Sequence, residues 1–423
     1  MFAEDEFSIF DLVSGLSELV DLYSPELDSH HKKVAYIAYN IAAEMGLSDA
    51  QIKNIVLASL LHDIGAFTTE ERLNVVHASF DDHEFNGHQM LGYKLLNNFE
   101  PLATAAQLVK YHHVHYNKAT GDIPIGSYII HLADRLSIAY NVQTEILAQV
   151  PGIMHKFSNN NSIFHPDTVD ALLKVAKREY FWIEACLLPI NTVLPERMRF
   201  SKEKIDLNDL RDLAKVIAQV IDFRSRFTST HSSGVAAAAF ELANIYGFSK
   251  RECKLMEIAG YLHDLGKLAI SNDILEKNGA LNHEEFNEMR KHSYYTYAVL
   301  NKIKGFEQIA MWAAYHHERL DGNGYPFHIK GDDFIKLARI MAVADIVTAI
   351  TEDRPYRKGM SSDKAIAVLI EMAENGGIDR GTVRIVTENF TRINAVRIIA
   401  QQQALVEYNA FNDAFNDTYY YIK

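Results

Sequence analysis

Two sets of metal-binding side chains recur along this chain in the same order. The first is His30, His62, Asp63, His88, His112, His113 and Asp134; the second is His231, His263, Asp264, His292, His316, His317 and Asp345. Imidazole and carboxylate suit first-row transition metals. Five histidines and two aspartates exceed what one tetrahedral zinc with an open position would use. The set suits two ions, with an aspartate placing one oxygen on each. A water held between two such ions ionises near neutral pH and becomes a nucleophile. Successive helical residues point about 100° apart. A helix end can therefore send His263 and Asp264 into one site, leaving Asp264 free to bridge. His31, His77, His83, His115, His131, His155, His165, His283 and His328 lack a ligand-type partner in the other copy. Their default reading is structural or solvent-exposed, with His115 and His131 as candidates to line the first site.

The elements that must position these groups repeat too. "SHHKKVAYIAYNIAAEMGLSDAQIKNIVLASLLHDIGAF" from Ser29 aligns without a gap on the segment from Thr230, at an offset of 201. His88 and His112-His113 match His292 and His316-His317 at an offset of 204, and Asp134 matches Asp345 at 211. The second copy thus gains three residues in one loop and seven in another. Gly46 and Gly247 fit the place just past a helix. Ser48-x-x-Gln51 and Ser249-x-x-Glu252 are capping boxes that open the next helix. That helix is expected to end at His-Asp, with Gly65 or Gly266 as its stop. Leu207, Leu210, Leu213, Ile217, Val220 and Ile221 recur at helical spacing. No convincing alternating strand is present. The reading is all-α, with two tandem helical domains: residues 1–190, a proline-containing linker at 191–206, and residues 207–423.

The bulk numbers fit this. The chain has 423 residues, 48% of them hydrophobic, enough for more than one core. The net charge of −13 disfavours sequence-independent binding to duplex nucleic acid. It leaves room for a small phosphorylated ligand in a local basic pocket. No apolar run approaches the roughly 20 residues of a membrane span. "MFAEDEF" is unlike a signal peptide. With Cys186 and Cys253 as the only cysteines, a reducing cytoplasm is expected.

At "HDLGK" (263–267), "HHERLDGNGYP" (316–326) and "ADIVTAITEDRPYRKG" (344–359), the chain resembles the HD superfamily of metal-dependent phosphohydrolases. The second copy resembles its HD-GYP subfamily, bacterial second-messenger enzymes that hydrolyse cyclic dinucleotides. The first copy matches only the broader HD pattern. The resemblance implies that His231, His263, Asp264, His292, His316, His317 and Asp345 bind two divalent ions, with Asp264 bridging. Iron or manganese come first, and nickel or zinc are also accepted. It implies that Lys267 contacts the scissile phosphate, that Tyr325 borders the substrate, and that Arg354 and Arg357 hold phosphates. The expected reaction opens a cyclic dinucleotide, cyclic di-GMP first, to the linear form and onward to GMP. Alternatives are cyclic GMP-AMP or another nucleotide as substrate, or a non-catalytic cyclic dinucleotide receptor.

Departures from the family pattern fall in loops. Phe227 stands where some members carry an acidic ligand to a third metal, which favours two ions here. Ser271 and Asn278 replace frequent prolines. In the first copy Ala66 stands at the place of Lys267, and "HHVHYNKATGDIP" replaces the GYP loop. The first copy keeps a candidate metal site without the phosphate-holding cations. Three roles are open to it: a sensor, a hydrolase of another phosphorylated compound, or support for a homodimer. A regulatory or structural role is favoured.

Overall fold

The structure is a computed structural model that describes residues 6–22, 29–66, 87–160, 162–186, 190–197, 204–224, 229–353 and 358–420. Phe227, Arg354 and Arg357 lie outside the described residues, as do His77 and His83. The chain divides into two compact units, built on residues 8–204 and 205–413. Both are helical. Among the described residues the strands are two short segments, Phe7–Ser8 and Lys204–Ile205.

In the first unit, α1 (Ile9–Asp21), α2 (His30–Glu44) and α3 (Asp49–Leu61) pack on one another. They are followed by α4 (Gly87–Leu96), α5 (Ala103–Lys110) and α6 (Ile125–Ser137). Helix α2 lies against both α3 and α6, and α5 lies against α3 and α4. Four further helices follow: α7 (Ile146–Ser158), α8 (Pro166–Val175), α9 (Glu179–Cys186) and α10 (Ile190–Arg197). The segment read as a linker therefore starts as a helix. Ile190 and Leu194 are buried, and α10 packs on α2. Burying that apolar pair outweighs the helix-breaking tendency of Pro195.

The second unit repeats the plan. Helix α11 (Leu207–Asp222) starts at Asp206, whose side chain accepts from the Asn208 and Asp209 N–H groups. Then come α12 (His231–Tyr246), α13 (Lys250–Leu262), α14 (His283–Leu300), α15 (Glu307–Ala314) and α16 (Lys336–Thr351). Helix α12 packs against α13 and α16, as α2 does against α3 and α6. Helix α17 (Ser362–Glu374) and the long α18 (Arg380–Tyr420), kinked at Asn389, complete it. Both capping boxes form, and α3 and α13 end one residue before His62 and His263. Gly247 ends α12 with a φ of 83°.

Gly65 and Gly266 have another reason to be glycine than the one the sequence suggested. Neither has a left-handed φ. A Cβ on Gly65 would stand 2.1 Å from the His88 carbonyl oxygen, and one on Gly266 only 2.0 Å from that of His292. These glycines let the turn after His-Asp press directly against the helix that carries the next histidine. The Gly266 N–H also donates to Thr296 Oγ1 at 2.9 Å. Gly266→Ala should therefore cost about 3 kcal/mol through overpacking against backbone. At about 2–4 °C per kcal/mol for a unit of this size, calorimetry should show a clear fall in Tm. Gly247→Ala, which meets open space, should cost about 1 kcal/mol. A Gly266→Ala chain with unchanged Tm would contradict the close approach.

Candidate metal centres

Each of the two units gathers all seven of its expected ligands around one aspartate. In the second unit, Asp264 sits just past the end of α13 and divides its oxygens. Oδ2 lies 3.1 Å from His263 Nε2, while Oδ1 lies 3.4 Å from His292 Nε2 and 3.9 Å from His316 Nε2. His231, His263 and Asp264 form one ligand group; His292, His316 and His317 form another. Asp345, on α16, faces His231 Nε2 at 3.1 Å.

The backbone sets the imidazoles. The Nδ1–H of His263 donates to the Gly260 carbonyl at 2.8 Å, that of His292 to Met289 at 2.6 Å, and that of His316 to Ala313 at 2.6 Å. In the first unit His62 and His112 do the same toward Ser59 and Val109, at 2.8 and 2.7 Å. A carbonyl can only accept, so each ring carries a proton on Nδ1 and aims Nε2 inward. His292 Nε2 and His316 Nε2 then face each other as acceptors 3.3 Å apart. Two lone pairs at that distance fit a shared cation.

The first unit gives the stronger test of fit. His30, His62, His88, His112 and His113 each bury an Nε2, and Asp63 and Asp134 each bury an oxygen, without a hydrogen-bond partner. A protein does not leave so many buried polar atoms unpaired without compensation. Asp63 Oδ2 is 3.1 Å from His62 and Oδ1 is 3.3 Å from His88, repeating the division seen at Asp264. Both sites fit metals.

Each unit holds an imidazole whose protonated form the carboxylates favour, at a different position in the repeat. Burial opposes protonation of His62, yet Asp63 and Asp134 hold its pKa up at about 9. Burial likewise opposes charge on His231, and Glu352 and Asp345 overcome it to about 10. Burial would raise Asp264, but His263 and Lys267 keep it well below the ordinary carboxylate range. Burial lowers His112 and His317 to about 4 and His292 to about 3. The carboxylates thus favour the protonated forms of His62 and His231, and a metal would displace those protons.

Several partners were not legible in the sequence. Glu352 accepts from His231 Nδ1 at 3.1 Å and from Gln401 Nε2 at 3.0 Å. Arg224 donates to the carbonyls of Lys267, Leu268 and Ile270, clamping the turn after His-Asp. Glu318, inside the GYP motif, turns inward and accepts from the Phe327 and Ile329 N–H groups at 2.6 and 3.0 Å. It thereby folds the loop that sets the Tyr325 ring 4.8 Å from that of His317. Val114 stands at its place in the first unit. Arg135 puts its guanidinium 2.6 Å from Asp134 Oδ2, where the second unit has Ile346. His31, read as structural, is buried in one group with His62 and Asp63. Ser271, in place of proline, caps the short helix Asn272–Leu275. His131 packs 6.0 Å from His113, and His115 stacks on His131 at 5.5 Å.

Lys267 Nζ lies 2.6 Å from Asp264 Oδ2. Beside Tyr325 opens a cavity of about 410 Å³ lined by Asn287, Arg290, Lys291, Tyr294, Tyr295, Tyr325 and Pro326. The Arg290 guanidinium lies 5.1 Å above the Tyr325 ring.

Metal binding should release protons, because His62 and His231 must lose theirs to coordinate. Their raised values mean that protons compete with metal up to about pH 9 to 10. Apparent affinity should therefore rise with pH across the neutral range and weaken as pH falls. Manganese added to chelator-treated protein at pH 7.5 in weak buffer should acidify the solution. A titration that releases no protons would contradict this charge arrangement.

The comparisons agree with the geometry. One HD-domain family model matches residues 27–139, and a second, also described as an HD domain, matches residues 215–381. The chain is 29% identical over 379 residues to 3′3′-cGAMP-specific phosphodiesterase 1 of Vibrio cholerae, covering 85% of this chain and 87% of that protein. It is 35% identical over 178 residues to the cyclic di-GMP phosphodiesterase response regulator RpfG of Xanthomonas campestris, 42% of this chain and 47% of that one. The fold matches the crystal structure of a cyclic GMP-AMP specific phosphodiesterase of V. cholerae. The TM-score is 0.62 at 21% identity, over 95% of this chain and 98% of that one. The repeated ligand-type set and the repeated helical frame coincide with the two matches: the chain carries two HD domains in tandem.

Proposed function

We propose that the chain is a metal-dependent phosphodiesterase of cyclic dinucleotides and that hydrolysis takes place in the second domain. The observation that carries the choice of domain is Lys267, whose ammonium stands 2.6 Å from Asp264 Oδ2, where the first domain has Ala66. Relatives that align across most of the chain are named 3′3′-cGAMP-specific phosphodiesterases, whereas the cyclic di-GMP enzyme RpfG aligns over less than half. We therefore rank 3′3′-cGAMP first as substrate and cyclic di-GMP, the sequence-based expectation, second.

In this reading His231, His263 and Asp345 would hold one divalent ion, His292, His316 and His317 the other, and Asp264 both. Two such ions supply Lewis acidity and ionise a water at neutral pH. The protein's own groups do the rest. Lys267, whose ammonium stands 2.6 Å from Asp264 Oδ2, would meet the phosphate as negative charge builds. Glu352 fixes the ring of His231. The cavity beside Tyr325 joins aromatic rings to Arg290 and Lys291, a combination suited to a base and a phosphate. Arg354 and Arg357 keep the phosphate-holding role that the resemblance implies. The first domain keeps a regulatory or structural role. A cytoplasmic location and a homodimer belong to the same proposal; no helix among the described residues is long and apolar enough to cross a membrane.

Protein loaded with iron(II) or manganese(II) should be incubated with each nucleotide and the products resolved by chromatography. Asp264→Ala should abolish cleavage. Lys267→Ala should lower kcat by about 10²–10³-fold, as for loss of one transition-state donor, with metal content retained. Asp63→Ala should leave hydrolysis in place. Cleavage lost only with Asp63→Ala would reverse the assignment of domains.

A further inference from the structure

The two domains differ at one position beside the first ligand. His31 aligns with Ser232, and Asp21 aligns with Asp222, both at an offset of 201. In the second domain Asp222 holds Ser232, accepting from its N–H at 3.1 Å and its Oγ–H at 2.9 Å. In the first domain Asp21 Oδ1 instead engages His31 Nδ1 at 2.5 Å. His31 is 2% exposed. Its ring centroid lies 4.9 Å from that of His62 and 5.4 Å from that of His30. A carboxylate holding the far nitrogen of a buried imidazole is the arrangement that orients metal-binding histidines.

Two ligand groups in this domain share His62. One is His30, His62 and Asp134; the other is His31, His62 and Asp63. His62 Nδ1 is committed to the Ser59 carbonyl, so its single remaining lone pair can serve only one ion. Both groups must therefore address the same ion.

We propose that His31 is a fifth protein ligand to the His62-side metal of the first domain, oriented by Asp21. That ion would have three imidazoles and two carboxylates, against two and two at the matching place in the second domain. A six-coordinate ion would keep one open position in the first domain and two in the second. The first-domain site is thereby built to retain its metal, and it favours octahedral ions such as iron(II), manganese(II) or cobalt(II) over tetrahedral zinc. Arg135, paired with Asp134 Oδ2, adds a fixed positive charge on the same ligand shell. The inference rests on the first domain's ligands alone, so failure of nucleotide cleavage would leave it standing.

The test uses full-length protein loaded with cobalt(II) and dialysed against a chelator. Wild type should keep the first-domain ion longest. His31→Ser, which copies the second domain, should weaken that ion's binding by about 10–100-fold, and Asp21→Asn by about 10-fold, on the scale of orienting-group losses. His31→Asn keeps a donor for Asp21, and its metal-free Tm reports whether folding is preserved. Visible spectra should shift from a six-coordinate toward a lower-coordinate cobalt pattern in the His31 variants, while hydrolysis by the second domain is unchanged. Metal content, affinity and spectrum identical to wild type in a folded His31→Asn chain would overturn the proposal. Anomalous diffraction from wild type needs no variant: a metal about 2 Å from a His31 nitrogen supports it, and one bound to His62 with His31 beyond bonding distance refutes it.

Discussion

Everything at these sites turns on an aspartate placed one step beyond a helix end. Asp63 and Asp264 each follow the histidine that caps α3 or α13, and each is buried. Each sends its two oxygens to different sets of imidazoles. A buried carboxylate so surrounded must be compensated. At Asp63 the compensation comes first from His62, and at Asp264 from His263 and Lys267. The helix that presents the aspartate is fixed at its far end by a capping box. It is fixed at its near end by a glycine pressed against the next ligand's carbonyl. A shift of the turn would move the aspartate and the His88 or His292 backbone together.

The same cradle then serves two different electrostatic plans. In the second domain the fixed cation, Lys267, sits on Asp264 and is partly exposed. In the first domain the fixed cation, Arg135, is buried on Asp134. A cation near solvent can meet an incoming phosphate, whereas a buried guanidinium neutralises a ligand it already holds. The loops follow suit. Glu318 folds the GYP segment around Tyr325 in the second domain, and the first domain has neither the glutamate nor the tyrosine.

Much of this was legible in the sequence because it repeats. The offsets paired all fourteen ligand-type residues, and the capping boxes announced α3 and α13. What stayed hidden depends on contacts between residues far apart in the chain. The need for Gly65 and Gly266 comes from carbonyls on another helix, not from the local turn. Glu352 meets His231 across 121 positions, and no spacing rule links them. His31 was set aside because its counterpart is Ser232. The repeat argument rewards sameness and so passes over a residue that acts only in one copy. Part of the expected linker folded because Ile190 and Leu194 find a buried surface that Pro195 does not reveal.

The most direct measurement of the central claim is anomalous diffraction at a metal absorption edge from crystals of the full-length protein. The bridging-aspartate account predicts a pair of peaks flanking Asp264, about 3.5–4 Å apart. One should lie on the His231–His263 side and the other on the His292–His316–His317 side. A single peak, or a pair not straddling Asp264, would contradict it.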